Sequence, residues 1–315
     1  MEAVISLARV FKMKVKTRFA PSPTGFAHIG NFRTAYFNWL YSKNKDGLFY
    51  LRIDDTDLNR NNPEATSLIF QPMDWLKLDY NFLFNQSDEE RQDRYREVSE
   101  EFIRSGFAFR EGDGEAIVLR SYKELSKLGI SIPLEWFDEI SGGIKVDQNQ
   151  LDHLVIKTSS GSFLYNFTSI IDDSDSEITD VIRGADHFQN TPKQILIQKL
   201  YKYCFPERQI FLPKFHHIGL IFKDGRKMSK RENAASLLYY KDQDYHHEAI
   251  LNFLLRMGWG PRIDDKTSSM ISQSRAIRLF SEGKMKSSPS NFDQQKLDSY
   301  NRKYKALDKK GQQYG

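Results

Sequence analysis

The chain has 315 residues, of which 39% are hydrophobic and 28% are charged, and its formal net charge is +4. This length exceeds what one hydrophobic core usually serves, so we expect two or more domains. The sequence contains no apolar run long enough to span a bilayer, which argues against a membrane-spanning protein. A single cysteine, Cys204, excludes an internal disulfide and a thiolate zinc site, and it favours a reducing compartment such as the cytoplasm. The mild positive charge permits a nucleic-acid partner without demonstrating one.

Residues 1–14 (MEAVISLARVFKMK) precede the first recognisable motif and are mildly amphipathic and basic. Two interpretations stay open, a transit peptide and an upstream extension with Met13 as the initiator. Glu2 and the lack of a serine-rich run favour the extension. Whether the origin is bacterial or organellar is left open by the sequence.

A strand, a tight loop and a helix start follow this extension. Apolar side chains alternate over Val15–Phe19, prolines and a glycine then interrupt the pattern, and Asn31 is predicted to be the N-cap of a helix. Unpaired amides and the helix dipole at such a turn favour an anion. His28 and Gly30 lie on this turn, which therefore predicts a phosphate site, although a His-x-Gly turn alone is more often an ordinary turn.

A buried strand over 48–53 is predicted next, and it ends in Asp54-Asp55-Thr56-Asp57. Carboxylates at the carboxyl end of such a strand lie where open α/β sheets bind ligands. The alternative is an acidic turn that caps the following helix. That helix is predicted over 63–78, kinked or ended by Pro72. Ser87–Glu90 has the pattern of a capping box before a helix that ends near Gly106.

The remaining chain alternates between strand-rich and helical patterns. Residues 107–164 are rich in strands with glycine turns, and 165–225 combine apolar strands with helices, one of them near 191–204. Beyond residue 232 the pattern is helical. Two histidine pairs, 216–217 and 246–247, are predicted not to bind metal, since adjacent side chains rarely point at one ion.

A second motif, Lys227-Met-Ser-Lys-Arg231, follows a turn signal at Asp224-Gly225. With the His-Ile-Gly turn it resembles the HIGH and KMSKS signatures of class I aminoacyl-tRNA synthetases. Five segments narrow the resemblance to glutamyl-tRNA synthetases: TRFAPSPTGFAHIGNFRTAYFNWL (17–40), LRIDDTD (51–57), YNFTSIIDD (165–173), ITDVIRGADHFQNTPKQ (178–194) and KMSKR (227–231). The likeness runs from about Val15 to about Tyr304.

The resemblance implies an α/β fold, with a Rossmann-type class I synthetase catalytic domain, a mixed α/β acceptor-binding insertion and a C-terminal helical stem-contact region. The implied divisions are an extension (1–14), the first half of the nucleotide-binding domain (15–106), the insertion (107–164), the second half (165–225), and the KMSKR loop with the helical region (226–315). Full-length relatives continue into an anticodon-binding domain. We expect that domain to be absent here, and we expect a monomer that binds tRNA weakly and does not distinguish anticodons.

The implied activity is ATP-dependent activation of L-glutamate to glutamyl-adenylate, followed by transfer to the 3′ end of tRNA-Glu. Mg²⁺ would accompany ATP, and no zinc is predicted, because the cysteines that bind it in some relatives are lacking. The implied catalytic residues are His28, Gly30, Lys227 and Lys230. The implied ATP-binding residues are Thr24, His28, Gly30, Asp186, Leu220, Lys227, Met228, Ser229 and Lys230.

A glutamate carboxylate is best recognised by planar guanidinium groups. By resemblance, the glutamate-binding residues are Arg18, Ala20, Ser22, Asp54, Tyr165, Ser169 and Arg183. Two positions depart from the family pattern. Asp54 stands where relatives usually have a glutamate that meets the substrate ammonium, and Ser169 replaces an amide found in some relatives.

Three alternatives stay open at this point. The first is the short relative that glutamylates queuosine on tRNA-Asp, which typically has a cysteine-based zinc site and a KLSKQ-like loop. The second is a truncated paralogue that binds tRNA without catalysis, and the third is a small-molecule nucleotidyltransferase with a similar histidine turn. Glutamate-dependent exchange between ATP and pyrophosphate, with and without tRNA, distinguishes them.

Overall fold

The computed structural model describes residues 13–23, 28–56, 63–112, 114–228, 236–260 and 270–310. The helices are α1 (Ile29–Asn44), α2 (Pro63–Trp75), α3 (Glu89–Arg104), α4 (Tyr122–Lys127), α5 (Tyr165–Asp175), α6 (Thr191–Cys204), α7 (Leu237–Asp242), α8 (His247–Arg256), α9 (Gln273–Leu279) and α10 (Gln294–Lys309). Short 3₁₀ helices cover Gln148–Gln150 and Ala185–Asn190. Among the described residues, no helix combines the length and the apolar character needed to cross a membrane.

Within the described residues, the strands form five sheets. The strands are β1 (Lys16–Phe19), β2 (Leu48–Ile53), β3 (Phe82–Asn85), β4 (Ala108–Arg110), β5 (Ile117–Leu119), β6 (Glu135–Asp138), β7 (Gly142–Lys145), β8 (Leu154–Lys157), β9 (Asp180–Gly184), β10 (Lys214–Ile218), β11 (Ile221–Lys223), β12 (Arg226–Lys227), β13 (Trp259–Gly260), β14 (Lys284–Met285) and β15 (Ser290–Asn291).

Two sheets at the centre of the fold adjoin each other. One has the strand order β3-β2-β1, all parallel, and the other has the order β9-β10-β6-β7, in which only β7 is antiparallel. They meet between β1 and β9, where the Thr179 amide donates to the Lys16 carbonyl at 3.0 Å. Asn38 of α1 also donates to the Ile182 carbonyl of β9 at 2.9 Å. The carboxyl ends of β1 and β9 thus flank a topological switch point, where open α/β sheets bind ligands.

Helix α1 is buried on nearly every side, unlike an ordinary surface helix. One side contacts β1 and β2, and the other contacts α8 and α9. Helices α7 to α10 therefore share one hydrophobic core with the first half of the fold, to which α10 contributes Leu297 and Tyr304. A second core joins α3, α5 and α6 with strands of the 107–164 segment.

Two predicted helix starts are wrong. The N-cap of α1 is His28 rather than Asn31, because the His28 ring accepts the Gly30 amide and the helix begins three residues early. The N-cap of α3 is Asp88, and the predicted capping box does not form. The Ser87 hydroxyl donates instead to Asp55 at 2.6 Å, so a contact with the segment after β2 replaces the local cap.

The 107–164 segment contributes to two different sheets. Strands β4, β5 and β8 form a separate antiparallel sheet, as the strand-rich pattern predicted. The β6–β7 hairpin instead extends the central sheet, since β6 pairs in parallel with β10 through Asp138 and Phe215. The Glu139 amide donates to the Phe215 carbonyl at 2.8 Å, which adds to this junction.

Gly219, between β10 and β11, offers a test of the packing near the switch point. A Cβ at this position would lie 2.0 Å from the Ser288 carbonyl oxygen, so the backbone would have to move. We expect Gly219→Ala to lower the free energy of unfolding by about 1–3 kcal/mol, measured by urea denaturation. Gly143→Ala is the control, because no atom lies within 4 Å of its Cβ position. Equal stability of the two variants would contradict the prediction.

Candidate active site

A cavity of about 440 Å³ lies at the carboxyl ends of β1 and β9. It is lined by most of the site residues that the sequence predicted: Arg18, Ala20, Ser22, His28, Gly30, Asp54, Tyr165, Arg183, Asp186, Leu220, Lys227 and Met228. Thr24, Ser229 and Lys230 lie outside the described residues. The structure thus brings together residues from both motifs and from both halves of the fold.

Ser169 does not line this cavity. Its side chain is buried in α5, and its hydroxyl accepts from the Gln194 amide at 3.0 Å. Gln194 in turn accepts a hydrogen bond from Arg183 at 2.7 Å. Ser169 therefore lies behind the cavity wall, where it holds the Gln194 side chain that in turn accepts a hydrogen bond from Arg183.

The turn before α1 is shaped by the His28 side chain. Nδ1 of His28 accepts the Gly30 amide at 3.0 Å, so a neutral ring carries its proton on Nε2. A Cβ at Gly30 would lie 2.8 Å from Cε1 of this ring, which explains why glycine fits here. The arrangement joins an imidazole to the positive end of a buried helix, a combination suited to an anion.

The second motif and the segment after it lie close to the turn before α1. Lys227 and Met228 line the cavity, and Ser236 forms an isolated β-bridge with His28. Lys227 lies 2.7 Å from Asp186, and both side chains are partly exposed. Burial opposes the charge on Asp186, but the hydrogen bond from Lys227 lowers its pKa below the usual value. Because exposed ion pairs contribute little stability, Lys227 can exchange Asp186 for another anion at small cost.

Arg18 is held from behind by a buried carboxylate. Its Nε contacts both oxygens of Asp173 at 3.2 Å, and both residues are almost fully buried. Asp173 also accepts from Arg52 at 2.7 Å. Although burial opposes its charge, these two arginines lower the pKa of Asp173. Since the hydrogen bonds described for Arg18 come from Nε, its outer amino groups are available on the cavity side.

Asp54 lines the cavity but is already paired with Arg52 of β2, the strand that precedes it. Arg52 Nε donates to its carboxylate at 2.6 Å. Burial raises the pKa of Asp54 to about 6, since lost hydration and repulsion by Asp172 and Asp173 outweigh the attraction of Arg52. A cationic ligand near Asp54 would have to share this carboxylate with Arg52.

The two aspartates of the IIDD segment have structural contacts rather than places on the cavity wall. Asp172 is fully buried and accepts from Arg91, Gln86 and Tyr95 at 2.7–2.9 Å. Its oxygen also lies 3.6 Å from Arg52. Hence helix α5 supplies adjacent carboxylates that neutralise arginines from β1, β2 and α3.

Arg183, at the end of β9, is 5% exposed and makes hydrogen bonds to neutral groups. It donates to Nε2 of His217 at 3.1 Å, to Gln194 at 2.7 Å and to Thr191 at 2.8 Å. Burial lowers the pKa of Arg183, and the nearby charge of Arg18 lowers it further. A buried cation surrounded by neutral partners creates a strong local preference for an anion.

Tyr165 and His187 form the wall beside Arg183. The Tyr165 hydroxyl lies 3.1 Å from Nδ1 of His187, and their rings are in contact. Burial, reinforced by the charge of Arg183, lowers the pKa of His187 to about 4. This histidine is therefore neutral at physiological pH, and the wall presents polar groups without additional charge.

The sequence analysis missed three cavity residues on α1: Asn31, Arg33 and Thr34. Helical spacing from Gly30 is the signal that finds Arg33 and Thr34, because positions i+3 and i+4 share its face. Arg33 donates to the Met257 carbonyl at 2.8 Å, and burial lowers its pKa to about 10. Within the described residues, Nε of Arg33 and Oδ1 of Asn31 are buried without a hydrogen-bond partner.

The cavity is consequently suited to anionic and zwitterionic ligands. Its charged lining residues are Arg18, Arg33, Asp54, Arg183, Asp186 and Lys227, so cations outnumber carboxylates. Among the residues that the structure describes, no group of three or more His, Cys, Asp or Glu side chains could hold a metal ion. The charged groups at this cavity can align an anionic ligand and stabilise its charge.

Comparisons with known proteins agree with this geometry. The family model described as tRNA synthetases class I (E and Q), catalytic domain, matches residues 14–131 and 111–299. A glutamate–tRNA ligase from Francisella tularensis subsp. tularensis is 37% identical over an alignment 321 positions long. The alignment covers 92% of this chain and 66% of the relative. The chain thus spans slightly less than two thirds of that relative.

Solved structures show a similar fold. The glutamate-tRNA synthetase from Elizabethkingia anophelis is 24% identical and superposes with a TM-score of 0.74. The superposition covers 96% of this chain and 75% of the other. A putative arginyl-tRNA synthetase from Campylobacter jejuni is 14% identical and superposes with a TM-score of 0.53. The superposition covers 96% of this chain and 73% of the other. At these identities the likeness concerns the fold alone, and it supports the predicted Rossmann-type class I architecture.

The raised pKa of Asp54 has a measurable effect on stability. Because the folded state holds this proton more tightly than the unfolded state, its contribution to stability falls as the pH rises from about 4 to about 6. Relative to Asp54→Asn, the wild-type chain should therefore lose free energy of unfolding across this interval, measured by urea denaturation at each pH.

Asp79→Asn is the control for this measurement. Despite partial burial, hydrogen bonds from Lys43 and Trp39 lower the pKa of Asp79, so its contribution is instead lost as the pH falls through the acid range. The prediction is contradicted if the difference in free energy of unfolding between wild type and Asp54→Asn does not change with pH. It is also contradicted if this difference changes with pH in the same direction as the difference between wild type and Asp79→Asn.

Proposed function

Since this chain belongs to the class I tRNA synthetase catalytic-domain family (E and Q), we propose that it activates L-glutamate with ATP and transfers the glutamyl group to the 3′ end of tRNA-Glu. The observation that carries this proposal is the pair of buried guanidinium groups, Arg18 and Arg183, beside the His28 turn. The pair of guanidinium groups suits a carboxylate side chain, and the His28 turn at the start of α1 suits the phosphates of ATP.

In the proposed complex, the glutamate side chain binds between the two arginines. Arg18 offers its outer amino groups, and the terminal nitrogens of Arg183 carry further N–H groups beyond those given to Thr191 and Gln194, with Tyr165 as an additional hydrogen-bond partner. Tyr165 lies at the same wall, and Ala20 and Ser22 border the opening. The substrate ammonium would face Asp54, whose carboxylate it shares with Arg52.

The proposed reaction is attack by the glutamate α-carboxylate on the α-phosphorus of ATP, which forms glutamyl-adenylate and releases pyrophosphate. No covalent enzyme intermediate is needed, so the protein contributes alignment and charge stabilisation. His28 would donate from Nε2 to the phosphates while Nδ1 stays with Gly30. Lys227 would leave Asp186 for the pyrophosphate, and Lys230 and Ser229 are proposed to act beside it. Asp186 and Leu220 would border the adenosine.

The second proposed step transfers the glutamyl group to the terminal ribose of tRNA-Glu. The 107–164 segment is proposed to receive the acceptor end, as the family resemblance implies. Mg²⁺ would arrive with ATP, held mainly by its phosphates. We further propose a monomer in the cytoplasm, consistent with the free and partly buried Cys204.

The decisive experiment is glutamate-dependent exchange between ATP and pyrophosphate, run with and without tRNA. We expect exchange with wild-type protein and a loss of about 10²- to 10³-fold in kcat for His28→Asn, with little change in ATP affinity. Asparagine is chosen because it still caps the helix while removing the imidazole. Exchange that requires no glutamate, or turnover that is unchanged in His28→Asn, would refute the proposed roles.

The glutamate clamp is tested by replacing a guanidinium with an ammonium. Arg18→Lys keeps the charge and loses the planar fork, so we expect the KM for glutamate to rise about tenfold and discrimination against glutamine to weaken. Arg208→Lys is the matched control, because that arginine is 45% exposed and lies outside the cavity lining. Wild-type kinetics in Arg18→Lys would exclude Arg18 from the clamp.

A further inference from the structure

Behind Arg183, a buried carboxylate and a buried imidazole form a chain that ends at its guanidinium. Asp138 closes strand β6, His217 lies on β10, and each is at most 1% exposed. Oδ2 of Asp138 lies 2.6 Å from Nδ1 of His217, and Nε2 of His217 accepts from Nε of Arg183 at 3.1 Å. The three residues lie on the neighbouring parallel strands β6, β10 and β9.

The chemistry of these contacts fixes the tautomer of His217. An arginine Nε–H only donates, so Nε2 of the imidazole must be unprotonated to accept it. The ring proton is then on Nδ1, where it is donated to the Asp138 carboxylate. Burial lowers the pKa of His217, although Asp138 opposes this effect, and the ring is neutral at physiological pH.

Asp138 is itself held rigidly. Its Oδ1 accepts the amides of Ile140 and Ser141 at 3.1 and 2.8 Å, and Oδ2 accepts the His217 amide as well as the ring. Each oxygen thus faces N–H donors. Burial opposes the charge, but these hydrogen bonds, that from His217 first, lower the pKa of Asp138 below its usual value. The carboxylate is therefore ionised and acts only as an acceptor.

We propose that Asp138 and His217 are positioning residues for the amino-acid clamp, because they fix the direction in which Arg183 presents its terminal N–H groups to the cavity. The proposal rests on the proposed glutamate site. It assigns a role in substrate binding to the β6–β7 hairpin, none of whose residues line the cavity.

Asp138→Asn removes this constraint with almost no change in volume. An asparagine side chain has one oxygen and one NH₂ group. The NH₂ group would therefore face either the backbone amides of Ile140 and Ser141 or the His217 ring, all of which donate to the carboxylate in the wild type. If the NH₂ group faces His217, the ring shifts its proton to Nε2 and points a donor at Arg183. We expect glutamate affinity to fall about tenfold, with a much smaller change in the KM for ATP and in kcat.

The chain offers a matched control on the same strand. Asp180 and His216 form a second buried pair with a 2.9 Å contact, and His216 packs against Tyr41 rather than Arg183. Adjacent residues of a strand point to opposite faces, so Asp180→Asn alters an equivalent carboxylate–imidazole contact on the other side of the sheet. It should reduce stability and leave the KM for glutamate unchanged.

A second variant separates positioning from folding. His217→Gln keeps an acceptor near the place of Nε2 and should retain most of the glutamate affinity, whereas His217→Leu should lose it. Glutamate binding is measured by calorimetry on the whole chain, together with pyrophosphate exchange in the presence of tRNA. Correct folding of each variant is checked through its ATP affinity.

The outcomes separate this proposal from the function on which it rests. Wild-type protein that binds no glutamate would overturn the proposed function and this proposal together. Wild-type binding with unaltered affinity in Asp138→Asn, or an equal loss in Asp180→Asn, would overturn the positioning role alone. A selective loss in Asp138→Asn and His217→Leu, with recovery in His217→Gln, supports it.

Discussion

The site depends on neutralising buried guanidinium groups without occupying the faces that a ligand needs. Asp173 takes Nε of Arg18 and one terminal nitrogen of Arg52, while Arg52 also holds Asp54. Removing one partner from such a network leaves an uncompensated buried charge, which is far costlier than losing a surface pair. The position of Arg18 is therefore set by helix α5, although Arg18 itself belongs to β1.

Arg183 follows a different rule from Arg18, since its partners are neutral. His217, Thr191 and Gln194 orient the guanidinium and leave its charge uncompensated at contact distance. In the proposed complex, the two arginines would contribute differently to binding one carboxylate. Arg18, held by Asp173, would contribute mainly geometry, whereas the electrostatic field of Arg183 would act mainly on the ligand.

The resemblance carried by local sequence motifs implied the fold class and many of the residues that line the cavity. Strand β1, the turn at His28 and the helix near 191–204 are all marked by spacing and by turn residues. Local pattern also misled at Asn31, because the nearby His28 ring caps the helix instead, and at Ser87, whose hydroxyl donates to Asp55, 32 residues away in the chain. Asp138 carries no signal of its own, since its role exists only once β6 lies beside β10.

The separation along the chain between the charged partners has a consequence for how the protein folds. Arg18 and Asp173 are 155 residues apart, and Arg52 and Asp173 are 121 apart. Arg52 has Asp54 close by in the chain, but Arg18 must stay hydrated while the chain is being synthesised until α5 has emerged with Asp173, because burying an unpaired guanidinium is too costly. We therefore expect both halves of the nucleotide fold to form in one late cooperative step.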